Sequence, residues 1–474
     1  MIPDRFAPVL AELAPLAKRF ADAGHRLYLV GGTVRDLMVD SGRDDYDLDL
    51  TTDARPAEIK ACLTGWADAV WTQGERFGTI GARFGQRPYE ITTFRAESYT
   101  DDSRKPHVTY ADDVETDLGR RDFTVNAMAL ELTGGETPTL VDPHGGALDL
   151  INKVLRTPLG PDISFSDDPL RMLRAARFIA GYGLQPTEQL VAAVNDMAPR
   201  IEIVSAERIR DEFDKLITVD HPAAGLWFLY DTGLADQFLP EMSAMRLEHD
   251  PIHRHKDVLT HTIAVVENVR PAAEQPEGHP PFDFRLVRLS AFFHDVGKPR
   301  TRGYLEGKGT TFHHHDAVGA RMTKKRLTAL RYSNDDVANV TALVALHLRF
   351  HTYRLGWSDS AVRRYVRDAD DLLHELNVLT RCDCTTRNER KAKQLSQRMD
   401  DLEERIATLA EAEELAAIRP ELDGKAVMEH LGISPGREIG EALDFLLEIR
   451  LEEGLIGETE SKARLDTWWA QRSS

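Results

Sequence analysis

The chain has 474 residues, with 78 acidic against 59 basic side chains and a formal charge of −19, which is too long for one hydrophobic core and predicts two to four domains. Acidity on this scale argues against loose affinity for any polyanion and confines RNA contact to local basic tracks. No apolar run is long enough to span a bilayer, Asp4 and Arg5 stand where a secretory leader would need its apolar centre, and three cysteines offer no disulfide framework, so a reducing cytoplasm is expected.

Residues 1 to about 24 read as one amphipathic helix ending at Gly24. From 25 to about 155, short apolar strands alternate with helices and Gly/Pro turns, the pattern of an α/β head. Within it, Tyr28-Leu29-Val30 runs into Gly31-Gly32, a helix opens with Arg35 and Asp36, and a second strand carries Asp47 and Asp49. Alternate strand residues share a face, so the two carboxylates are predicted to sit side by side and bind Mg²⁺. Metal held this way stabilises the attacking and leaving oxygens of phosphoryl transfer. The paired glycines let backbone approach a phosphate near a helix N-terminus, and Arg35 is expected to add a charge-assisted contact. A further strand, Tyr89 to Arg95, carries Glu90. Residues 95 to 119 read as a flexible loop.

Around Thr157-Pro158-Leu159-Gly160-Pro161 the pattern changes, and the rest of the chain reads helical. Asp168 precedes Pro169, the arrangement of an N-cap before a proline at the first helical position. Arg171, Arg174 and Arg177 follow at steps of three on one helix. Asp168 and Arg171 are then neighbours able to present a paired acceptor and donor to a base edge, a role compatible with capping. Arg174 and Arg177 are expected to meet phosphates or to make structural pairs. Ser205 is the expected N-cap of the next amphipathic helix. Residues 271 to 282 read as a Pro-rich loop. In L-S-A-F-F-H-D-V-G-K, His294-Asp295 ends an apolar helix, where burial requires a partner or a metal. Leu395, Met399, Leu402, Ile406 and Leu409 mark a long helix packing along one stripe.

Three segments in order, Arg120-Arg121-Asp122-Phe123-Thr124-Val125-Asn126-Ala127, Val141-Asp142-Pro143-His144-Gly145-Gly146 and Asp167-Asp168-Pro169-Leu170-Arg171, resemble the tRNA nucleotidyltransferases (CCA-adding enzymes) and bacterial poly(A) polymerases of class II. The resemblance implies an α+β protein. A polymerase-beta-like head with a small mixed sheet (1–155) precedes a helical neck for nucleotide selection and RNA binding (156–250), an HD-type metal-binding domain (251–390) and a helical tail for tRNA (391–474). It implies Glu90 as third carboxylate, Arg121 on the triphosphate, Asp122 on the ribose, and base selection by Asp168 and Arg171. It also implies a second metal site, built from His261, His294, Asp295 and Asp383 and suited to a divalent transition metal, with His315 and His347 as candidates for a second position there. The expected reaction is CCA addition to tRNA from CTP and ATP, with no membrane partner. Rivals are a poly(A) polymerase, a C-only or A-only enzyme, and a phosphohydrolase with a nucleotide-sensing head.

Overall fold

The structure is a computed structural model that describes residues 3–39, 46–98, 107–132, 138–247, 257–274, 280–306, 309–352, 357–386, 388–413 and 418–472. Leu27–Val30 is buried at all four positions and forms β1. A continuous apolar run suits a strand covered on both faces. β1 lies between β2 (Leu48–Thr52) and β8 (Ala129–Glu131), antiparallel to both. The full seven-stranded order is β3 (Ala69–Trp71), β4 (Thr79–Phe84), β5 (Arg87–Thr93), β2, β1, β8 and β9 (Thr139–Val141). β2 and β5 run parallel and the other pairs antiparallel, so the sheet is mixed.

The predicted N-terminal helix is α1 (Ala7–Asp22), stopped before Gly24, which takes a positive φ of 81°. α2 (Gly32–Val39) follows β1, and α3 (Pro56–Leu63) follows β2. The segment 95–119, expected as a loop, is ordered wherever it is described. β6 (Arg95–Ser98) pairs with β7 (His107–Tyr110), and α4 (Val114–Gly119) opens where Asp113 accepts a hydrogen bond from Thr116 N. Residues 99–106 lie outside the described residues. The polar composition of this segment concealed a hairpin base and a capped helix that packs Val114 and Leu118 against Tyr28, Val30 and Phe94.

Helical structure then dominates, as expected. α5 (Gly146–Ile151) and α6 (Pro161–Asp167) lead to α7 (Leu170–Tyr182), which ends at Gly183 in the left-handed conformation that releases a helix. Two short strands, β10 (Val154–Leu155) and β11 (Gln185–Pro186), pair in parallel. α8 (Glu188–Met197), α9 (Ala206–Ile217) and α10 (Ala223–Asp231) complete this region. Ser205 holds the N-cap position of α9, but its side chain makes no capping hydrogen bond.

The chain divides into two compact units, Met1–Pro240 and Glu241–Ser474. Among its described residues the second is helical apart from one hairpin, β12 (Arg302–Leu305) with β13 (Gly309–Phe312). The Pro-rich loop contains a short 3-10 turn at Ala272–Glu274, and residues 275–279 lie outside the described residues. Along the helix Glu389–Glu413 the predicted stripe is realised, with Met399, Leu402 and Leu409 buried. Three tail helices close over Leu422, Val427, Ala442, Leu446 and Leu465. Among the described residues no helix is long and apolar enough to cross a membrane.

Gly225 lets α10 approach α7 closely. A Cβ there would stand 2.4 Å from the Ala176 carbonyl oxygen and 2.6 Å from Leu216 Cδ1. Neither the helix backbone nor a buried leucine moves cheaply, so Gly225→Ala is expected to destabilise the first unit by about 2 kcal/mol. Thermal unfolding of the variant checks this, and an unchanged Tm would contradict the packing.

Candidate active site and metal centre

Asp47 lies one residue before β2 rather than inside it, and Asp49 N donates to Asp47 O at 3.2 Å. Both aspartates are exposed while Leu48 and Leu50 are buried, so the alternation still puts both carboxylates on the solvent side. The parallel register of β2 and β5 sets Glu90 opposite Asp49. Three acidic side chains therefore line one face. The carboxyl of Asp49 is densely surrounded even though solvent reaches it. That desolvation, then Glu90 and Asp47, raise its pKa to about 6 against the opposing influence of Arg121.

Gly31 turns the chain with a φ of 76° immediately beside this face. A Cβ on Gly31 would lie 3.3 Å from Arg121 Nη1 and 3.7 Å from Asp49 Oδ2, so glycine keeps the turn, the arginine and the aspartate together. Gly32 opens α2, where a Cβ would meet the Arg35 guanidinium at 3.4 Å. Arg35 itself is buried. It donates to Asp36 Oδ1 at 2.8 Å, to Asn126 Oδ1 at 2.5 Å and to Tyr182 Oη, and its guanidinium lies 4.1 Å from the Tyr182 ring centre. These partners occupy the fork expected to meet phosphate, and they tie α2 to α7.

Arg121 is held by Asp117, whose Oδ2 accepts from Arg121 Nη2 at 3.2 Å and whose Oδ1 accepts from Arg120 Nη2 at 2.7 Å. Asp117 is 0 % exposed and also accepts from Thr51 Oγ1 at 3.4 Å, on the same strand as Asp49. Burial works against its charge, but the two guanidiniums outweigh burial and hold its carboxyl below the usual range. Sequence reasoning missed this residue. Its placement three and four positions before the two arginines was the available signal. Asp122 is buried too. It accepts from Asn126 Nδ2 at 3.0 Å and Phe123 N at 2.8 Å and pairs with Arg174 Nη2 at 2.6 Å; burial opposes ionisation, yet Arg174 and these bonds keep its pKa low.

Asp168 and Arg171 both stand at the turn into α7, and each has other partners. Asp168 Oδ1 accepts from Leu170 N at 3.2 Å, which is the expected capping role, and Oδ2 pairs with Arg208 Nη2 at 2.7 Å. The buried Arg171 fork donates to Ser164 Oγ at 2.9 Å and to the Arg120 carbonyl at 2.6 Å. Arg177 pairs with buried Glu212. Asp142, at the turn, accepts from Gly146 N at 2.7 Å and caps α5.

In the second unit, the helix Val258–Asn268 supplies His261, the end of Phe284–Phe293 supplies His294 and Asp295, and the end of Leu373–Cys382 supplies Asp383. His261 Nε2 lies 2.9 Å from Asp383 Oδ1 and 3.3 Å from His294 Nε2. His315 and His347 converge on the same place, with Nε2 atoms 3.2 Å apart. Asp295 stands between the two groups: Oδ2 is 3.2 Å from His294 Nε2, and Oδ1 is 3.3 Å from His315 Nε2. That Oδ1 is buried without a hydrogen-bond partner. Lys298 Nζ reaches Asp295 Oδ2 at 2.6 Å.

The outer nitrogens explain the orientation. Nδ1 of His294, His315 and His347 each lies 2.7 Å from a backbone carbonyl, of Ala291, Phe312 and Val344, and Nδ1 of His261 lies 2.8 Å from Thr385 Oγ1. A carbonyl can only accept, so His294, His315 and His347 donate Nδ1–H and turn Nε2 inward, the orientation metal ligation requires. Burial pushes the His347 pKa down to about 4, while for His294 burial is outweighed by Asp295 and Asp383, which raise it to about 10, so without a metal His294 also carries a proton on Nε2, which a metal would displace. The donor set of imidazoles and carboxylates fits one or two divalent metals, as two groups, His261/His294/Asp383 and Asp295/His315/His347.

A mixed sheet presenting three carboxylates beside a glycine turn, followed by helices, defines a metal-dependent nucleotidyltransferase. The sequence matches the Poly A polymerase head domain over residues 27–156, the probable RNA and SrmB-binding site of polymerase A over 183–245, and the HD domain over 258–416. It is 33% identical over 450 residues to the A-adding tRNA nucleotidyltransferase of Deinococcus radiodurans, covering 93% of this chain and 95% of that one. It is 38% identical over 234 residues to the CCA-adding enzyme of Lactobacillus helveticus, covering 49% of this chain and 56% of that one. The fold resembles that of the Bacillus stearothermophilus CCA-adding enzyme in complex with CTP, with a TM-score of 0.68, 22% identity and 99% of each chain covered. It also resembles the Thermotoga maritima CCA-adding enzyme complexed with tRNA, with a TM-score of 0.61, 19% identity, and 98% and 96% of the two chains covered. This chain belongs to the tRNA nucleotidyltransferase and poly(A) polymerase family, with an HD domain.

Two outcomes follow from the head. Asp117→Asn removes the shared anion of Arg120 and Arg121 and is expected to destabilise the fold by about 3 kcal/mol. It should also raise the KM for CTP, because Arg121 loses its anchor; steady-state kinetics and thermal unfolding measure both. Asp49 has a folded pKa above its unfolded value, so its protonated form favours folding at low pH and that contribution is lost as pH rises through about 6. Asp49→Asn should therefore raise the Tm of metal-free protein at about pH 7.5 and leave it unchanged near pH 4. Equal effects at both pH values would contradict the crowded-carboxylate reading.

Proposed function

We propose that this protein adds C, C and A to the 3′ end of tRNA from CTP and ATP, releasing pyrophosphate, in the cytoplasm. The observation that carries this reading is the Asp47/Asp49/Glu90 face at the Gly31 turn, with Arg121 above it, in a member of this family. Asp47 and Asp49 would hold Mg²⁺, which when bound supplies charge stabilisation to the attacking and leaving oxygens. Glu90 supplies the third carboxylate of the face. The Gly31-Gly32 backbone and Arg121 receive the triphosphate, and Asp122 orients the ribose. Asp168 and Arg171 read the base after exchanging their present partners, Arg208, Ser164 and the Arg120 carbonyl. Arg174 positions Asp122, while Arg35 and Arg177 act through α7.

A second reading is A-only addition, favoured because the relative aligned over 93% of this chain is A-adding. The two separate cleanly with labelled tRNAs ending before C74, after C75 and after A76, given CTP, ATP or both. CCA addition extends the shortest tRNA by three residues, whereas an A-only enzyme ignores CTP. Asp47→Ala and Asp49→Ala should abolish addition, and full activity in either would reject the metal assignment. Asp168→Ala should admit UTP and GTP; unchanged selectivity would leave Asp168 as a cap alone.

The HD centre is proposed as a separate metal-dependent phosphohydrolase, since a bound divalent transition metal lowers the pKa of water to near neutrality. His294→Ala should abolish hydrolysis of phosphate esters with Mn²⁺, Ni²⁺ or Co²⁺ and leave nucleotide addition intact. If wild type hydrolyses nothing and the variant simply melts earlier, the cluster is structural.

A further inference from the structure

The hairpin β12–β13 grows directly out of the HD centre. Lys298, which contacts Asp295, also lies 5.8 Å from the centre of the Phe312 ring at the end of β13. The Phe312 carbonyl in turn orients His315. The hairpin register sets Arg302 opposite Phe312 and Tyr304 opposite Thr310. Opposed residues share a face, and so do alternate residues along a strand. Arg302, Tyr304, Thr310 and Phe312 therefore form one surface, tied to the histidine cluster through the Phe312 ring and Lys298. β12 is exposed at every position, and Tyr304 is 66% exposed. Arg300, just before the strand, is exposed as well.

An exposed tyrosine two strand residues beyond an arginine, on a face that begins at a metal cluster, has the composition of a single-strand nucleic-acid platform. Cations there follow phosphates, and an aromatic ring stacks a base of any identity. We propose that this face binds the 3′ end of an RNA whose terminal phosphate ester is hydrolysed at the HD centre, a proposal that rests on the phosphohydrolase reading above. Arg302 receives the backbone phosphate next to the scissile one, and Tyr304, about 7 Å further along the strand, stacks the base. In the reaction a water oxygen bonds to phosphorus, the bond from phosphorus to O3′ breaks, and a proton passes to O3′. The products are a 3′-hydroxyl and inorganic phosphate.

The test compares a 3′-phosphorylated oligoribonucleotide with p-nitrophenyl phosphate, using the full chain with Mn²⁺ or Ni²⁺. Arg302→Ala and Tyr304→Ala should hydrolyse the small ester at the wild-type rate and lose about tenfold in kcat/KM on the oligonucleotide, mainly through KM. Tyr304→Phe should recover most of that loss. Equal losses on both substrates, or no loss on the oligonucleotide, overturn the platform while leaving the phosphohydrolase reading intact. Wild type inactive on both substrates removes the two together. A matching rise in KM for tRNA during nucleotide addition would make the hairpin a docking surface for the tRNA body and overturn the assignment.

Discussion

Carboxylates placed side by side repel one another, and the head of this protein is organised around that repulsion. The parallel pairing of β2 and β5 brings Glu90 opposite Asp49, which already has Asp47 nearby. Loss of solvent raises the pKa of Asp49 most, and the neighbouring Glu90 and Asp47 raise it further, so the arrangement gains nothing for folding. It is tolerable because positive charge is held close: Arg121 beside the Gly31 turn, anchored on Asp117 beneath. A divalent cation completes the balance, so catalysis and local electrostatics call for the same ion.

The HD centre solves the same problem differently. Six groups from five helical segments meet in two clusters, each with its ligand atoms within 4.8 Å of one another, at a place where only His261 and Asp383 keep part of their surface in solvent. Each histidine is fixed from behind, three by backbone carbonyls one turn earlier and one by Thr385. The carbonyl backing sets the tautomer of those three before any metal arrives. The cost of an orphaned Asp295 Oδ1 is consistent with a ligand position rather than a structural pair.

α7 joins the two halves of the nucleotide site. Its aromatic residues Phe178 and Tyr182 take the Arg35 guanidinium from α2, and its Arg171 reaches the Arg120 carbonyl beside Arg121. Under the proposed roles, the helix assigned to base selection is thereby linked to the segments assigned to the triphosphate.

Much of this was readable from one chain. Period-two alternation placed Asp47 and Asp49 on one face, the Gly31-Gly32 pair marked the close turn, and Asp168-Pro169 marked a helix start, because each depends only on neighbouring residues. The long helix at Glu389–Glu413 was legible for the same reason. Tertiary structure decided what depends on distant segments. Arginine is a case in point: Arg35, Arg171 and Arg177 look alike in sequence, yet all three forks are taken up by Asn126 and Tyr182, by Ser164 and the Arg120 carbonyl, or by Glu212. The hairpin base within the 95–119 segment belongs to the same class. A long flexible side chain can reach many partners, and only the packed fold determines which one it finds.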